Sequence, residues 1–394
     1  MSNSKDIAKQ QKKKTAVYAD KKPSNPSLAK FLFGYSVASI AAVHIVFNKV
    51  FHRSAESRYF SFPRYKDYPD HPHTDIQFVS GDNTLRGDLF GVEKSITYDV
   101  IPAKCGTSKQ IVQFKYNADC KGLIVLAHGH GATAEQYATE IMWFVDHGYI
   151  VLAYDATGSG RSDGPSTIGL AQSALDLDAA LHFVDKSQIL NDLPLFLYGH
   201  SWGGYAVATV LKDHPEVDAA VSLAGYNKPN GVVYEQARKH VGKIAPFEYP
   251  FMWFENFRRS GKRSMTTAVE SINKAVDTPI LIVHGTQDEI IRYGGASIIA
   301  QRAHITNPRA EYFVRDEEWC NGHETLALSE ASMNYAEPLQ EEFNKLARKY
   351  HDDIPDEILE EFFGKIDKKL VSQLDEDFMD AVDHFYMRNV RSIR

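Results

Sequence analysis

The sequence predicts an α/β fold, in which a mostly parallel β-sheet is covered by helices on both faces. Continuous apolar runs, typical of strands buried on both faces, recur along the chain. Segments with the character of helices lie between these runs, and short loops join the two kinds of element. Alternation of strand, helix and strand indicates a parallel sheet rather than a sandwich or a bundle.

The predicted elements follow one another from residue 75. Segments 75–80 and 85–92, separated by Gly81-Asp82-Asn83, are typical of an antiparallel hairpin that opens the sheet. Buried strands are predicted at 122–127, at 149–154, at 193–198, in a run that ends near Ala224, at 278–285 and at 310–314. Helices are predicted at 134–147, 168–186, 203–214 and 293–304.

The most informative stretch is Gly199-His200-Ser201-Trp202-Gly203, which directly follows the predicted strand 193–198. It fits the Gly-x-Ser-x-Gly nucleophile elbow, a strained turn from strand to helix that exposes a serine hydroxyl. Side chains two positions before and after the serine would collide with the neighbouring strand and helix, which explains both glycines. Because the pentapeptide also arises by chance, the prediction that Ser201 is a nucleophile depends on partner residues elsewhere.

Two such partners follow later strands. Asp288 comes just after the predicted strand 278–285, and His323 lies in the polar loop after the strand 310–314. A histidine can take the proton of a serine hydroxyl, and an acid can hold the imidazole in the required tautomer. The sequence therefore predicts a catalytic Ser201, His323 and Asp288.

A turn suited to stabilising an oxyanion lies upstream. The apolar run 122–127 leads into His128-Gly129-His130-Gly131, where glycine allows a backbone N–H to point into a site. We expect the two donors to be the backbone N–H groups of His130 and Trp202, with Gly131 as the alternative to His130.

Residues from about 75 to 389 resemble the α/β-hydrolase superfamily, and most of all its monoacylglycerol-lipase-like and proline-iminopeptidase-like serine hydrolases. The matching motifs, in order, are HGHG at 128–131, DATGSGRSDG at 155–164, GHSWGG at 199–204, HGTQDEII at 284–291 and NGHE at 321–324. The resemblance implies an eight-stranded sheet and triad residues in the order Ser201, Asp288, His323. It also favours Asp288 over the competing acids Asp316, Glu317 and Glu318, because the family places the acid after the HGT turn.

The resemblance further implies a helical lid at about 226–276, between two strands of the sheet. This segment is rich in aromatic residues. We expect Phe247, Phe251, Trp253 and Phe254 to bind substrate by forming an apolar wall for an acyl group. The alternative is that these rings form the core of the lid itself.

The N-terminal region has no counterpart in the family. Residues 1–30 are polar and lysine-rich and are predicted to be disordered. Residues 31–48 form an apolar helix and a candidate membrane anchor, near the lower limit of length for a span. A linker at 49–74 joins this helix to the hydrolase domain at 75–394, which carries an added helical segment at about 335–372.

The distribution of lysines indicates an orientation for such an anchor. More basic residues precede the apolar segment than follow it, and no small-residue cleavage site follows it. The positive-inside rule then leaves the N-terminus in the cytoplasm and the catalytic domain outside it. The alternative is a cytoplasmic protein whose apolar helix docks on the domain or lies at a membrane surface.

Composition limits the partners. The net charge of −7 gives no reason to expect a nucleic-acid partner, and the 43% of hydrophobic residues suit a large core. Cys105 and Cys120 bracket a short segment and either form a disulfide or remain free thiols, as Cys320 is expected to do. The sequence leaves the oligomeric state open.

The residue types favour hydrolysis of a carboxylic ester with a moderately apolar acyl group, through an acyl-enzyme on Ser201. The small-molecule substrate is an ester or an amide, and this chemistry needs no metal ion and no organic cofactor. Amide or peptide hydrolysis, as in aminopeptidases, remains an alternative. So do acyl transfer to an acceptor other than water and a non-catalytic binding protein with the same fold.

Overall fold

The computed structural model describes residues 26–53, 61–99, 109–115, 119–187, 189–351 and 353–391. An eight-stranded sheet forms its centre, with strand order β1-β2-β6-β5-β7-β8-β9-β10. The strands of this sheet are β1 (His73–Ser80), β2 (Asn83–Phe90), β5 (Gly122–Ala127), β6 (Tyr149–Tyr154), β7 (Leu195–His200), β8 (Ala219–Leu223), β9 (Ile280–Gly285) and β10 (Ala310–Arg315). The pairs β1–β2 and β2–β6 are antiparallel and all others are parallel.

A separate antiparallel pair, β3 (Glu93–Asp99) and β4 (Lys109–Lys115), stands outside the main sheet. Cys105 lies in the connection between these strands, outside the described residues. Of the two alternatives for Cys105 and Cys120, the structure favours free thiols, because Cys120 is a half-buried free thiol, and Cys320 is a buried one.

Eleven α-helices are present in the described residues. They are α1 (Pro26–Phe51), α2 (Ala138–Asp146), α3 (Gln172–Asp185), α4 (Trp202–Val210), α5 (Pro229–Val241), α6 (Ala245–Ser260), α7 (Ala268–Lys274), α8 (Glu330–Tyr350), α9 (Asp356–Gly364), α10 (Lys368–Val371) and α11 (Glu376–Met387). Helices α5, α6 and α7 occupy the segment predicted to be the lid, and α8, α9 and α10 occupy most of the predicted added segment.

Each face of the sheet has its own apolar core. Along β5, Leu123 and Val125 belong to one core, whereas Ile124 and Leu126 belong to the other, as the alternation of side chains along a strand requires. Helices α3, α4 and α7 cover the first face, and α2 and α11 cover the second. The expectation of a mostly parallel sheet with helices on both faces is confirmed.

One predicted helix is wrong. Residues 293–296 form turns, Ser297 forms an isolated bridge with Tyr226, and only Ile299–His304 is helical, as a short 3₁₀ segment. Gly294 and Gly295 lie in the turn, where the Gly295 N–H donates to the Arg292 carbonyl. Two consecutive glycines cost a helix about 1 kcal/mol each relative to alanine, which favours the turn.

Helix α1 lies against α6 of the lid segment. Its buried residues Val43, Phe47 and Phe51 extend the core on the first face of the sheet. Other apolar residues of the helix are exposed, among them Phe31, which is 67% exposed, and Phe33, which is 72% exposed. By length and composition alone, Lys30–Phe51 is apolar enough to cross a membrane.

Candidate active site

Ser201 stands at the turn between β7 and α4. Its φ of 56° lies in the left-handed region, which is uncommon for a residue other than glycine. A Cβ at Gly203 would come within 1.9 Å of the Ala127 carbonyl oxygen, and one at Gly199 within 2.3 Å of the Gly203 carbonyl oxygen. The turn therefore has the steric character of a nucleophile elbow, in which both glycines are required by close backbone approach.

The structure brings Ser201, His323 and Asp288 into one hydrogen-bonded line. Ser201 Oγ lies 2.9 Å from His323 Nε2, and His323 Nδ1 lies 2.7 Å from Asp288 Oδ2. The other carboxylate oxygen of Asp288 accepts the backbone N–H groups of Ile290 and Ile291, at 2.9 and 2.7 Å. Asp288 is thereby held at the end of β9 with its free oxygen directed to the imidazole.

The surroundings of the histidine favour its protonated form. Burial acts to lower the pKa of His323, but the hydrogen bond and charge of Asp288, with the charges of Glu324 and Glu289, outweigh burial and raise this pKa above its usual value. Burial acts to raise the pKa of Asp288, but hydrogen bonds with His284 and His323 outweigh it and hold this pKa well below its usual range. Asp288 is therefore an anion that can stabilise an imidazolium.

A second hydrogen-bond network holds the backbone carbonyl of His323. The Tyr137 hydroxyl accepts the Gly129 N–H at 3.0 Å and donates to His200 Nδ1 at 2.8 Å, while His200 Nε2 donates to the His323 carbonyl at 2.9 Å. Burial lowers the pKa of His200 and keeps it neutral. The network ties the turn at 128–131 to the backbone of the histidine. The sequence does not predict this network, because His200 has no assigned role in the elbow motif and Tyr137 lies in no motif.

The proposed oxyanion donors lie beside this line. Trp202 is the first residue of α4, where a backbone N–H has no partner within the helix. The His130 ring packs edge-on against both the Trp202 ring and the Phe51 ring, with centroids 5.4 Å apart in each pair. Burial lowers the pKa of His130 to about 4, so its side chain is a neutral packing group near neutral pH.

The chain is similar to a family of serine aminopeptidases and to several individual enzymes. The model of the serine aminopeptidase family S33 matches residues 118–262. A non-heme chloroperoxidase from Streptomyces lividans is 25% identical over 44% of this chain and 77% of its own length. A monoglyceride lipase homolog from monkeypox virus is 25% identical over 46% and 76%, and a monoacylglycerol lipase from Mycolicibacterium smegmatis is 27% identical over 47% and 77%.

The chain is an α/β-hydrolase. Within this superfamily it is similar to the monoacylglycerol-lipase-like branch, and the family match and the lipase relatives support hydrolase activity. The match to the family model includes the turn at 128–131 and the elbow but ends before Asp288 and His323. The family match therefore does not include all three residues, and the structure is what brings them together.

A cavity of about 590 Å³ opens at Ser201 and His323 of the hydrolase. Its apolar wall comes from loops and from the added helical segment. This wall consists of Phe62, Leu223, Ile290, Leu326, Ala327, Leu328 and Val371. The sequence does not predict this wall, because the residues are scattered over the chain and carry no motif.

The four lid aromatics of the hydrolase lie elsewhere, which corrects the expectation that they bind the acyl group. None of them is among the described residues that line the cavity at Ser201. Phe251 packs against Tyr35 of α1, Trp253 stacks on Phe257, and Phe247 and Phe254 are exposed. Phe251 is thus part of the contact between α1 and α6, and composition alone does not reveal this role.

One group of side chains in the described part of the hydrolase has the composition of a metal site. The nearest ligand atoms of His200, His323 and Glu324 lie within 4.8 Å of one another. Both ring nitrogens of His200 are already hydrogen-bonded, to Tyr137 and to the His323 carbonyl, and His323 Nε2 faces Ser201. These nitrogens are therefore committed to hydrogen bonds rather than to a metal ion.

Proposed function

We propose that this α/β-hydrolase cleaves carboxylic esters of moderately apolar acids through an acyl-enzyme on Ser201. The line from Ser201 through His323 to Asp288, with contacts of 2.9 and 2.7 Å, is the observation that carries the proposal. The lipase names of two relatives favour an ester over an amide.

In the first half of the reaction, His323 Nε2 takes the proton of Ser201 Oγ as the oxygen attacks the ester carbonyl carbon. The backbone N–H groups of His130 and Trp202 stabilise the oxyanion of the tetrahedral intermediate. His323 then gives its proton to the leaving alcohol as the bond from carbon to that oxygen breaks, and Asp288 stabilises the transient imidazolium. In the second half, water repeats the attack with His323 as base and releases the carboxylic acid.

The apolar wall of the cavity is the natural place for the acyl chain. Each methylene buried there contributes roughly 0.8 kcal/mol to binding. A volume of about 590 Å³ suits a chain of moderate length together with the ester group. This placement assigns the acyl group to residues such as Leu326 and Leu328, in place of the lid aromatics.

Labelling with a fluorophosphonate probe tests the nucleophile. The native protein should be labelled, and Ser201→Ala should not be, with a loss in ester hydrolysis of about 10⁴-fold or more. Ser222→Ala is a matched control, because Ser222 is a buried serine on β8, outside the proposed triad. Labelling of Ser201→Ala at the native rate would overturn the assignment and indicate a different nucleophile, whereas failure of the native protein to be labelled would favour a non-catalytic binding protein.

The exposed apolar side chains of helix α1 favour attachment of the protein to a membrane. Tyr35 and Ser39 donate to Glu248 of α6 at 2.6 and 3.1 Å, and His44 contacts Glu255 at 3.0 Å. These polar contacts join α1 to α6. The side chains of Phe31, Phe33, Ile45 and Val46 on α1 are exposed. Because a spanning helix would have to give up its contacts with α6, we favour a helix that lies in the membrane surface.

Flotation with vesicles of phosphatidylcholine and phosphatidylglycerol tests this attachment. Apolar side chains drive insertion into a membrane surface. The combined substitutions Phe31→Ser, Phe33→Ser, Ile45→Ser and Val46→Ser should therefore lower the fraction of protein bound to the vesicles roughly tenfold or more. Val79→Ser with Val276→Ser is the control, since both valines are exposed away from α1. Retention in cell membranes through carbonate extraction would instead indicate a spanning anchor, with protease protection reporting its orientation.

A further inference from the structure

The cavity at Ser201 has an acidic end that the proposed reaction does not use. Two carboxylates line it, namely Glu140 on α2 and Glu324, which directly follows His323. No Lys or Arg is among the described residues that line the cavity. Glu324 lies 4.0 Å from a ring nitrogen of His200 and of His323, whereas Glu140 has no ion-pair partner in the described part of the chain.

A buried hydroxyl without a partner belongs to the same cavity wall. Tyr198 is only 1% exposed, and its hydroxyl makes no hydrogen bond to any described residue. A buried polar group left without a hydrogen bond costs about 1–3 kcal/mol. Tyr198 lies on β7 three positions before Ser201, next to the other groups of the acidic end. Its free hydroxyl is an independent sign that a ligand is missing from this end.

The protein stabilises the Glu140 anion poorly. Burial, together with repulsion by the charge of Glu324, raises the pKa of Glu140 to about 7. A positive group beside this carboxylate would bring its pKa back down and would donate to the Tyr198 hydroxyl, which has no partner among the described residues. The position of Glu140 in the cavity wall makes such an approach sterically open.

We propose that Glu140, Tyr198 and Glu324 form an ammonium subsite, which binds a positively charged amino group of the substrate. A primary ammonium has three N–H donors and no acceptor, and the subsite offers carboxylate and phenol oxygens as acceptors. A neutral hydroxyl has a single donor and would leave the Glu140 carboxylate without a counter-charge. The subsite adds a substrate group to the proposed function. It rests on that function only because the subsite is placed beside Ser201.

Binding of n-butylammonium and n-butanol, measured separately by NMR titration, tests the subsite. The protein used is full-length Ser201→Ala, so the result does not depend on turnover and stands apart from the identity of the nucleophile. We expect about tenfold or more tighter binding of the ammonium ion, because hydrogen bonds to charged partners are about twice as strong as neutral ones.

Two variants locate the preference, each made in the Ser201→Ala background. Glu140→Gln should bring the two affinities together, and Tyr198→Phe should reduce the preference severalfold while removing only a hydroxyl without a partner. Glu341→Gln changes the net charge equally on the exposed side of α8 and should keep the full preference. Equal binding of the two ligands, or a preference that survives both Glu140→Gln and Tyr198→Phe, overturns the proposal.

Discussion

The surroundings of Ser201 and the surface shared by α1 and α6 contrast in how their polar side chains are held. Beside Ser201, the side chains of Asp288 and His323 are almost fully buried, and each bonds to a partner from another element of the fold. Between α1 and α6, polar contacts occupy one side of each helix and large apolar side chains face outward. The first region is organised around one reacting atom, and the second around a surface.

This contrast shows how far a side chain's type predicts its role. A serine, an acid and a histidine gain their chemistry from hydrogen bonds with strict geometry, which strand ends can supply. Aromatic rings gain stability from any apolar neighbour, so the same rings suit a substrate wall, a helix interface or a lipid surface. Experiments that perturb both regions in the same assay test the contrast directly.

The largest effect is expected from Asp288→Asn, which would break the geometry at Ser201. The amide would hold His323 in the wrong tautomer and lower kcat by about 10⁴-fold with the fold intact. Steady-state ester hydrolysis with circular dichroism of each variant measures both properties. Asp316→Asn is the matched control, because Asp316 is an exposed competing acid. A collapse of kcat in Asp316→Asn, with Asp288→Asn near native, would move the acid to that loop.

A pH profile sharpens the same side of the contrast. His323 must be neutral to accept a proton, so kcat/KM should fall about tenfold per pH unit below its pKa, which is raised above the usual 6.5. Glu324→Gln removes a negative charge that favours the imidazolium, and this pKa should therefore fall, moving the acidic limb to lower pH. Glu341→Gln should leave the limb in place. An unmoved limb in Glu324→Gln would exclude His323 as the titrating base.

The smallest effect is expected from the lid aromatics. Phe254→Ala and Trp253→Ala should change kcat/KM less than about twofold for any acyl chain, because neither ring lines the cavity. Leu328→Ala should instead lower kcat/KM for longer acyl esters, by roughly fourfold for each substrate methylene that the shorter side chain leaves in water. A series of esters from acetyl to decanoyl measures both. A shifted length optimum in Trp253→Ala would return the lid to the substrate wall.

Much of the fold and of the grouping at Ser201 could be predicted from the sequence. A Cβ at either elbow glycine would come within about 2 Å of a carbonyl oxygen, and such hard steric limits leave a local signature. The order of strands places Asp288 and His323 at the same edge of a parallel sheet, so their spacing in sequence carries information about space. The sequence accordingly predicts these residues as one group.

Only the tertiary structure decided which residues the remaining side chains contact. Phe251 faces α1, Tyr137 reaches His200, and Glu140 enters the cavity wall, and no local pattern distinguishes these outcomes. The sequence by itself determined the alternation of strands and helices, the elbow and the two residues that follow later strands. The physical reason is that backbone sterics and apolar periodicity act within a few residues, whereas packing joins segments hundreds of residues apart and is non-directional.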